Sequence, residues 1–596
     1  DYYLDVHGAN LPLVISQVLH AQSGSEIGPL PLQDEETVYQ LSENFLRSMV
    51  SSAFGLQVLD TFVNRIIGTL SQELEKFKDN KQILNMVMAY EPELTVTSIG
   101  HSDKKLDNQI LIGNKGYFLK QLSQMGFSVP PGFILTTEIF RSYNAVLGYK
   151  YIFKDISLRI IKEIRKLEKL TGRTFGDPKN PLLLSVRSGA TVSLPGMMHS
   201  FLNVGINESI AEGLAQREGF GWAAWDSYRR FLQVWGMFHG LDRDFFDSIM
   251  ETYKGNYRVT RKIQFNPDQM RQIALSYKKA LEDRGIEAVH SPEVQLREAI
   301  LRVFASWESE QARIYRRQMH LSDEWGTAVI VQAMVFGNLN DQSGSGVVFT
   351  RNPKGLSPEV TLYGDFIFGV QGDDIVSGLV ETYPISEKQR VIEKRQSDIS
   401  LESGFPAIYA ELVRLSEILV YQKRFNHQEI EFTFEKPEVA GLHILQTRDM
   451  VQTESRKLKT FKSTTVLEES MVGTGIGVSG GALCGRSVFS EDDIRRFRAH
   501  DPDTPLILIR PDTVPDDVGI LLQVDGLLTA RGGSTSHAAV TIPQLNKVGV
   551  VGFSQLKVYE REGYSTVEGH TIKAGDFIAI DGWSGNIYVG KHEVDG

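Results

Sequence analysis

Apolar positions along this chain recur in two rhythms, and the change from one to the other divides it. In LQVLDTFVNRIIGTLSQELEKF the residues Leu59, Phe62, Val63, Ile66, Ile67, Leu70, Leu74 and Phe77 return every three or four positions. That spacing predicts an amphipathic helix, and residues 1–105 read as a helical N-terminal region whose stripe packs on itself or docks a partner. From about residue 106 short patterns alternate: GNKGYFLKQLSQMG is helical, VPPGFILTT is strand-like, and LLLSVRSGA is a buried strand entering a loop. Helical patterns take over between about 207 and 320, as in WDSYRRFLQVWGMFHG and PDQMRQIALSYKKALEDRG, before strands resume at TAVIVQAMVF and GSGVVFTRNP. Residues 106–450 are therefore expected to form one α/β domain with a helical insert. Residues 451–470 are polar, lack an apolar period and read as a linker; a flexible coil of that length would hold its ends ~25 Å apart and reach ~65 Å when stretched. Residues 471–596 alternate glycine-rich turns with short strands such as PLILIRP, VDGLLTARGG and KVGVVGF, which predicts a compact α/β domain.

Bulk composition narrows the function classes. At 596 residues the chain exceeds what one core supports, and 41% hydrophobic with 23% charged residues is the balance of a globular protein. The net charge of −11 disfavours non-specific adhesion to nucleic acid or anionic lipid, so any phosphate site must be local. No apolar run reaches the ~18 residues of a membrane span, and no membrane partner is expected. A single cysteine, Cys484, excludes an intrachain disulfide; it reads as inert core and favours a cytoplasmic location.

Three constellations carry candidate chemistry. In TARGGSTSHAAVTIPQL two glycines follow a strand, Ser534 or Thr535 can cap a helix, and His537 falls in that helix's first turn. Unpaired backbone N–H groups and the positive end of the helix dipole disfavour imidazolium there and would stabilise a phosphoryl group on the ring. A neutral imidazole is a competent nucleophile toward phosphorus. Arg531, just upstream, is either a phosphoryl ligand or a solvated surface charge. In QEIEFTFE, Glu429 and Glu431 share one strand face while Ile430, Phe432 and Phe434 take the other, and in LHILQTR the residues Ile444, Gln446 and Arg448 are expected to share a face. Paired carboxylates suit Mg²⁺ bound with nucleotide phosphates, and an arginine beside them offsets charge on a transferring phosphoryl. Taken singly, Lys115 in IGNKGYFLKQL reads as a surface residue and Arg187 in SVRSGATVSLPGMMHS as a structural salt-bridge partner; only resemblance makes a third set of them and the loop Pro195-Gly196-Met197-Met198.

These segments resemble known sequences. Gly532-Gly533-Ser534-Thr535-Ser536-His537-Ala538-Ala539-Val540 closely resembles the signature of the swivelling phosphohistidine domain of phosphoenolpyruvate-utilising enzymes. QEIEFTFE with LQTR looks like the nucleotide-site end of the ATP-grasp domain of the pyruvate, phosphate dikinase family, which more often has aspartate where Glu429 stands. The resemblance runs from about Ile112 to about Gly590 and extends to DSYRRFLQVWG, FTRNP and GVQGDDIVSG, with Arg351, Asp373 and Asp374 expected near the site. It implies an ATP-grasp-like domain followed by a phosphohistidine domain. It also implies that Lys115, Arg187, Gly196, Met197, Glu429, Glu431, Gln446 and Arg448 hold ATP, that Glu429 and Glu431 hold Mg²⁺, and that His537 carries phosphate.

In that family ATP pyrophosphorylates the histidine, the γ-phosphoryl passes to phosphate or water, and the β-phosphoryl travels to an acceptor. The pyruvate enzymes house the acceptor in a C-terminal barrel of ~250 residues, for which this sequence leaves no room after the histidine domain. Three explanations are expected: the sequence is a segment of a longer enzyme, the acceptor domain is a separate chain, or the additional N-terminal region belongs to a divergent enzyme with another acceptor; pyruvate is one candidate acceptor, and a homo-oligomer is a further partner to expect. Two alternatives stay open: a nucleotide-binding regulatory or scaffold protein on a dikinase fold, and a phosphorelay to a protein partner.

Overall fold

The computed structural model describes residues 92–141, 150–191, 198–260, 262–287, 291–318, 321–353, 358–372, 382–393, 395, 397–450, 459–513, 517–533, 536–560 and 562–595. The stripe from Leu59 to Phe77 lies outside them. Two antiparallel sheets face each other across a cleft. The first contains β1 (Val96–Ser98), β2 (Gly132–Leu135), β3 (Leu184–Gly189), β4 (Ser200–Val204) and β5 (Ala328–Ala333) in the order β1-β2-β5-β3-β4. The second contains β6 (Gly344–Phe349), β7 (Tyr363–Phe368), β8 (Tyr383–Pro384), β9 (Gln428–Phe434) and β10 (Leu442–Asp449) in the order β10-β9-β6-β7-β8. Every residue of β2 and β5 is buried, which is why their sequences read as continuous apolar runs without alternation.

The helical reading of residues 1–105 fails at its end, because Val96–Ser98 form the edge strand β1, paired with Phe133–Leu135 of β2. The run Thr95-Val96-Thr97 is β-branched and so fits a pleated edge better than a helix. The helices that accompany these sheets include α1 (Gln109–Gln124), α2 (Lys150–Thr171), α3 (Gly221–Phe238), α4 (Pro267–Glu282) and α5 (Pro406–Glu417). Helices occupy most of residues 208–318, between β4 and β5 of the same sheet. There, α4 starts at a capping box in which the Asn266 side chain accepts from the Gln269 backbone and Pro267 takes the first turn. The DSYRR segment of α3 is a packing element: buried Asp226 pairs with Arg229 at 2.9 Å, Arg230 at 2.8 Å and Lys262 at 3.4 Å.

The C-terminal part contains β11 (Thr460–Phe461), β12 (Met471–Thr474), β13 (Ile476–Ser479), β14 (Ala482–Val488), β15 (Leu506–Arg510), β16 (Gly526–Thr529), β17 (Val548–Val551), β18 (Lys557–Tyr559), β19 (Tyr564–Val567), β20 (His570–Lys573), β21 (Phe577–Asp581), β22 (Asn586–Val589) and β23 (Val594–Asp595). Eight of them form one sheet, in the order β12-β22-β21-β14-β15-β16-β17-β13. β14 to β17 run parallel within it. Alternation along β15 sends Ile507 and Ile509 to one core and Leu506 and Leu508 to the other, so both faces are covered. Besides a short helix at Thr465–Glu469, this part holds helices α6 (Glu491–His500), α7 (Val518–Leu521) and α8 (His537–Gln544), with α8 joining β16 to β17. Of the expected linker, Thr460–Phe461 pair with β23 and Lys462 bonds Glu593 at 2.6 Å, so the segment from Thr460 onward is fastened to the C-terminal part. Cys484 is half-buried and its sulfur accepts from the His592 N–H at 3.3 Å, while burial pushes the thiol pKa up.

Candidate active site

Lys115 and Arg187 are brought together by a glycine. In α1 the backbone of Gly113 leaves helical geometry (φ 67°, ψ 168°), and a Cβ there would lie 1.6 Å from the Gly189 carbonyl oxygen. Only glycine permits that approach. The next residue, Asn114, donates from its backbone to Ala190 O at 3.2 Å and from its side chain to Thr191 O at 2.6 Å, clamping the start of α1 to the end of β3. Lys115 consequently sits beside Arg187. Burial drags its pKa to about 8, with Arg448 and Arg187 adding to the fall and Glu431 and Glu429 opposing it.

The opposite wall is built by β9 and β10. Their pairing sets Arg448 across from Glu429, Thr447 across from Ile430 and Gln446 across from Glu431. Arg448 Nη2 donates to Glu429 Oε1 at 2.6 Å. Burial opposes the guanidinium's charge, but Glu429 more than compensates and the Arg448 pKa is raised. The expectation that Ile444 shares this face is corrected by a β-bulge: register shifts between Ile444 and Gln446, leaving Ile444 opposite Phe432 in the core. One extra residue, Leu445, inverts the alternation, so the strand holds Ile444 in the core and still turns Gln446 and Arg448 to the cleft.

His537 is the first residue of α8 and follows the carboxyl end of β16, where parallel sheets characteristically place ligand sites. The cap is Ser536, whose side chain accepts from the Ala539 N–H, rather than Ser534 or Thr535, which lie outside the described residues. With φ −63° and ψ 160°, Ser536 has the extended backbone a cap requires, and the helix begins directly after it. His537 therefore occupies the turn where unpaired N–H groups and dipole charge are concentrated. The imidazole is 5% exposed, and Thr541 Oγ approaches its Nε2 at 3.4 Å. Burial, followed by the positive charge of Arg448, depresses its pKa to about 4. The ring is neutral at physiological pH and within electrostatic reach of the cleft.

Contacts between the two parts hold the ring there. A Cβ on Gly533 would lie 2.8 Å from Asp365 Oδ2 and 3.1 Å from Thr382 Oγ1, so the loop before α8 is pressed onto β7. Asp365 is fully buried, takes a hydrogen bond from Thr382 at 2.9 Å and pairs with Arg395 at 2.9 Å. A second contact is apolar, with Trp307, Ala312 and Tyr315 clustering around Val518 and, at its edge, Leu545. Asp365 and Thr382 carry no short-range motif, and sequence reasoning missed them. It also missed Ser185, Gln332 and Thr433, which line the cleft beyond Arg187 and Glu431.

Other expected residues fall outside this arrangement or outside the described set. Gly196, Met197, Asp373 and Asp374 lie in stretches the structure does not describe. Arg531 is 65% exposed, with Asp512 at 3.7 Å. Arg351 stands just past β6, where, after burial, its charge lowers the His427 pKa. For a metal, the described residues offer no cluster of three or more His, Cys, Asp or Glu. The carboxylates of Glu429 and Glu431, sharing one face, are nonetheless the number of protein ligands Mg²⁺ takes when triphosphate oxygens and water complete its shell.

Comparison with known proteins gives a consistent result. The family model for the pyruvate phosphate dikinase AMP/ATP-binding domain matches residues 150–403, and that for the mobile domain of PEP-utilising enzymes matches residues 502–585. Pyruvate, phosphate dikinase of Clostridium symbiosum is 34% identical over 519 residues, covering 81% of this chain and 57% of that protein. The enzyme of Rhizobium meliloti (strain 1021) is 34% identical over 525 residues, 83% of this chain and 57% of the relative. The chloroplastic pyruvate, phosphate dikinase 1 of Zea mays is 33% identical over 529 residues, with 83% and 53% covered. The chain thus spans a little over half the length of these relatives.

Proposed function

Because this chain belongs to the pyruvate, phosphate dikinase family, we propose that it is an ATP-dependent phosphotransferase that charges His537 from ATP held between the two sheets. The observation that carries this reading is the neutral imidazole of His537, buried at a helix start and close enough to Arg448 to feel its charge.

Lys115, Arg187 and Arg448 bind the triphosphate and offset the charge that spreads over the transferring group, while Gln446 orients it. By resemblance to the family, Gly196 and Met197 would offer backbone N–H groups to the phosphates. Mg²⁺ held by Glu429 and Glu431 would neutralise phosphate charge. The ring nitrogen of His537 attacks the β-phosphorus, the bond from that phosphorus to the α-β bridging oxygen breaks, AMP leaves with that oxygen, and the ring sheds its other proton to solvent. Transfer of the γ-phosphoryl to phosphate or water leaves phosphohistidine. Its phosphoryl then goes to an acceptor, for which pyruvate, named in the relatives, is the first to test.

Incubating the chain with Mg²⁺ and β-labelled ATP, with and without phosphate, tests this. Acid-labile label and AMP that disappear in His537→Ala support it. ATP binding with neither product refutes it and favours a nucleotide-binding regulatory role.

A further inference from the structure

Resting on the phosphotransfer reading above, we infer that Thr541 is a positioning residue for His537: its hydroxyl holds one ring nitrogen and leaves the other bare to attack phosphorus. Thr541 lies four residues after the histidine in α8, one turn on and on the same face. Helical side chains lean toward the N-terminus, so Thr541 reaches back over the turn that begins with His537. Its Oγ stands 3.4 Å from His537 Nε2 and 3.5 Å from Nδ1, and the residue is fully buried. Among the described residues the imidazole is the hydroxyl's only polar partner. A threonine inside a helix ordinarily turns its hydroxyl to the carbonyl one turn back. Thr171 donates in this way to Leu167 O and Thr252 to Ser248 O, both at 2.8 Å. For Thr541 that carbonyl belongs to His537, and the hydroxyl takes the ring instead. A buried hydroxyl costs free energy unless it is bonded, and valine would fill the same space without that cost, so packing alone does not account for a hydroxyl here.

One hydroxyl serves both states of the ring because it accepts as well as donates. In the neutral imidazole one nitrogen carries the proton and the other a lone pair, and the bond made by the first fixes which it is. Both contacts are longer than a settled hydrogen bond; a small turn of the ring brings one nitrogen onto Thr541 Oγ, a tightening common to groups that act only in the reacting complex. As the bare nitrogen bonds to the β-phosphorus, the bond from phosphorus to the α-β bridging oxygen breaks and its electron pair leaves with AMP. The ring is then cationic, and its remaining N–H donates to Thr541 Oγ. A hydrogen bond from an ionised donor is roughly twice as strong as a neutral one, so this contact stabilises the transition state more than the resting ring. When that proton passes to solvent, the hydroxyl rotates and donates its own hydrogen to the nitrogen left bare. Thr541 itself gains and loses no proton.

Single-turnover labelling of the full chain with Mg²⁺ and β-labelled ATP tests this in Thr541→Val and Thr541→Ser. Thr541→Val should label roughly 10- to 150-fold more slowly, the worth of a hydrogen bond to a charged group, with ATP affinity within about twofold of wild type. Thr541→Ser keeps the hydroxyl and should label within about fivefold of wild type. A second readout separates positioning from packing. With the 13 histidines carrying ¹⁵N and His537→Ala identifying the signal, the wild-type ring should give the well-separated pair of one neutral tautomer, and in Thr541→Val the two should move toward their mean. Labelling at the wild-type rate in Thr541→Val, or equal losses in both variants with the ring signals unmoved, overturns the inference and leaves phosphotransfer to His537 standing. No label in wild type removes the phosphotransfer reading and this inference with it. Should Thr541→Val not fold, the unmodified chain decides: averaged nitrogen signals overturn the inference and a single tautomer supports it.

Discussion

Replacing Gly533 by alanine isolates the docking of the histidine loop from both the nucleophile and the nucleotide. The added Cβ would sit 2.8 Å from Asp365 Oδ2, whereas ordinary contact begins at 3.4 Å. The loop must retreat by roughly 0.6 Å, because Asp365 is buried and held by Thr382 and Arg395 and cannot yield. Gly533 does not have a positive φ, so alanine meets no backbone strain and the effect is confined to this contact. Overpacking of this kind costs about 1–3 kcal/mol, which at 1.4 kcal/mol per decade is a roughly 5- to 150-fold loss in the rate of His537 labelling. Single-turnover quench experiments with β-labelled ATP measure that rate, and equilibrium titration should show ATP affinity within about twofold of wild type. Labelling at the wild-type rate would refute the idea that the loop seats on Asp365 during transfer.

Other outcomes are expected from the same geometry. Lys115→Ala should raise the KM for ATP about 10- to 100-fold in steady-state AMP formation, the worth of a charge-assisted contact to phosphate. Since the Lys115 pKa is lowered to about 8, its ammonium is complete below that pH and is lost as pH rises through it; ATP affinity should therefore fall above about pH 8 in titrations, and Lys115→Met should abolish that limb. His537 is neutral above its depressed pKa of about 4, so single-turnover labelling should persist on acidification past the ordinary imidazole value and fail near pH 4. The linked stability runs the same way: unfolded chains take up a proton near pH 6.5 and the folded site does not, so this site destabilises the fold progressively between those values, by about 3 kcal/mol in full. Glu431→Gln should raise the Mg²⁺ concentration for half-maximal AMP formation at least about tenfold, and chelation by EDTA should stop labelling in wild type; labelling that survives EDTA would remove the metal from the reading.

Local rules in the sequence determined much of this protein. Strand and helix positions from VPPGFILTT to DFIAIDGWSGNIYVG were legible because each buried element carries either its own apolar period or a short unbroken apolar run. The placement of Glu429 and Glu431 on one face followed from alternation alone. The helix start at His537 was legible within two residues, since caps are local, although Ser536 and not its neighbours proved to be the cap. Where a local rule was interrupted, only the tertiary structure decided. The bulge at Leu445 depends on the partner strand, and no property of LHILQTR announces that Ile444 and Gln446 part company. Val96–Ser98 became strand because β2 offered an unpaired edge to a short β-branched run, too short to show a period of its own. The meeting of Lys115 with Arg187, of Gly533 with Asp365 and of Gln332 with Pro130 joins residues 72, 168 and 202 positions apart. Contacts at such separations are set by how finished sheets pack, through volumes and unpaired polar groups that short windows of sequence do not encode.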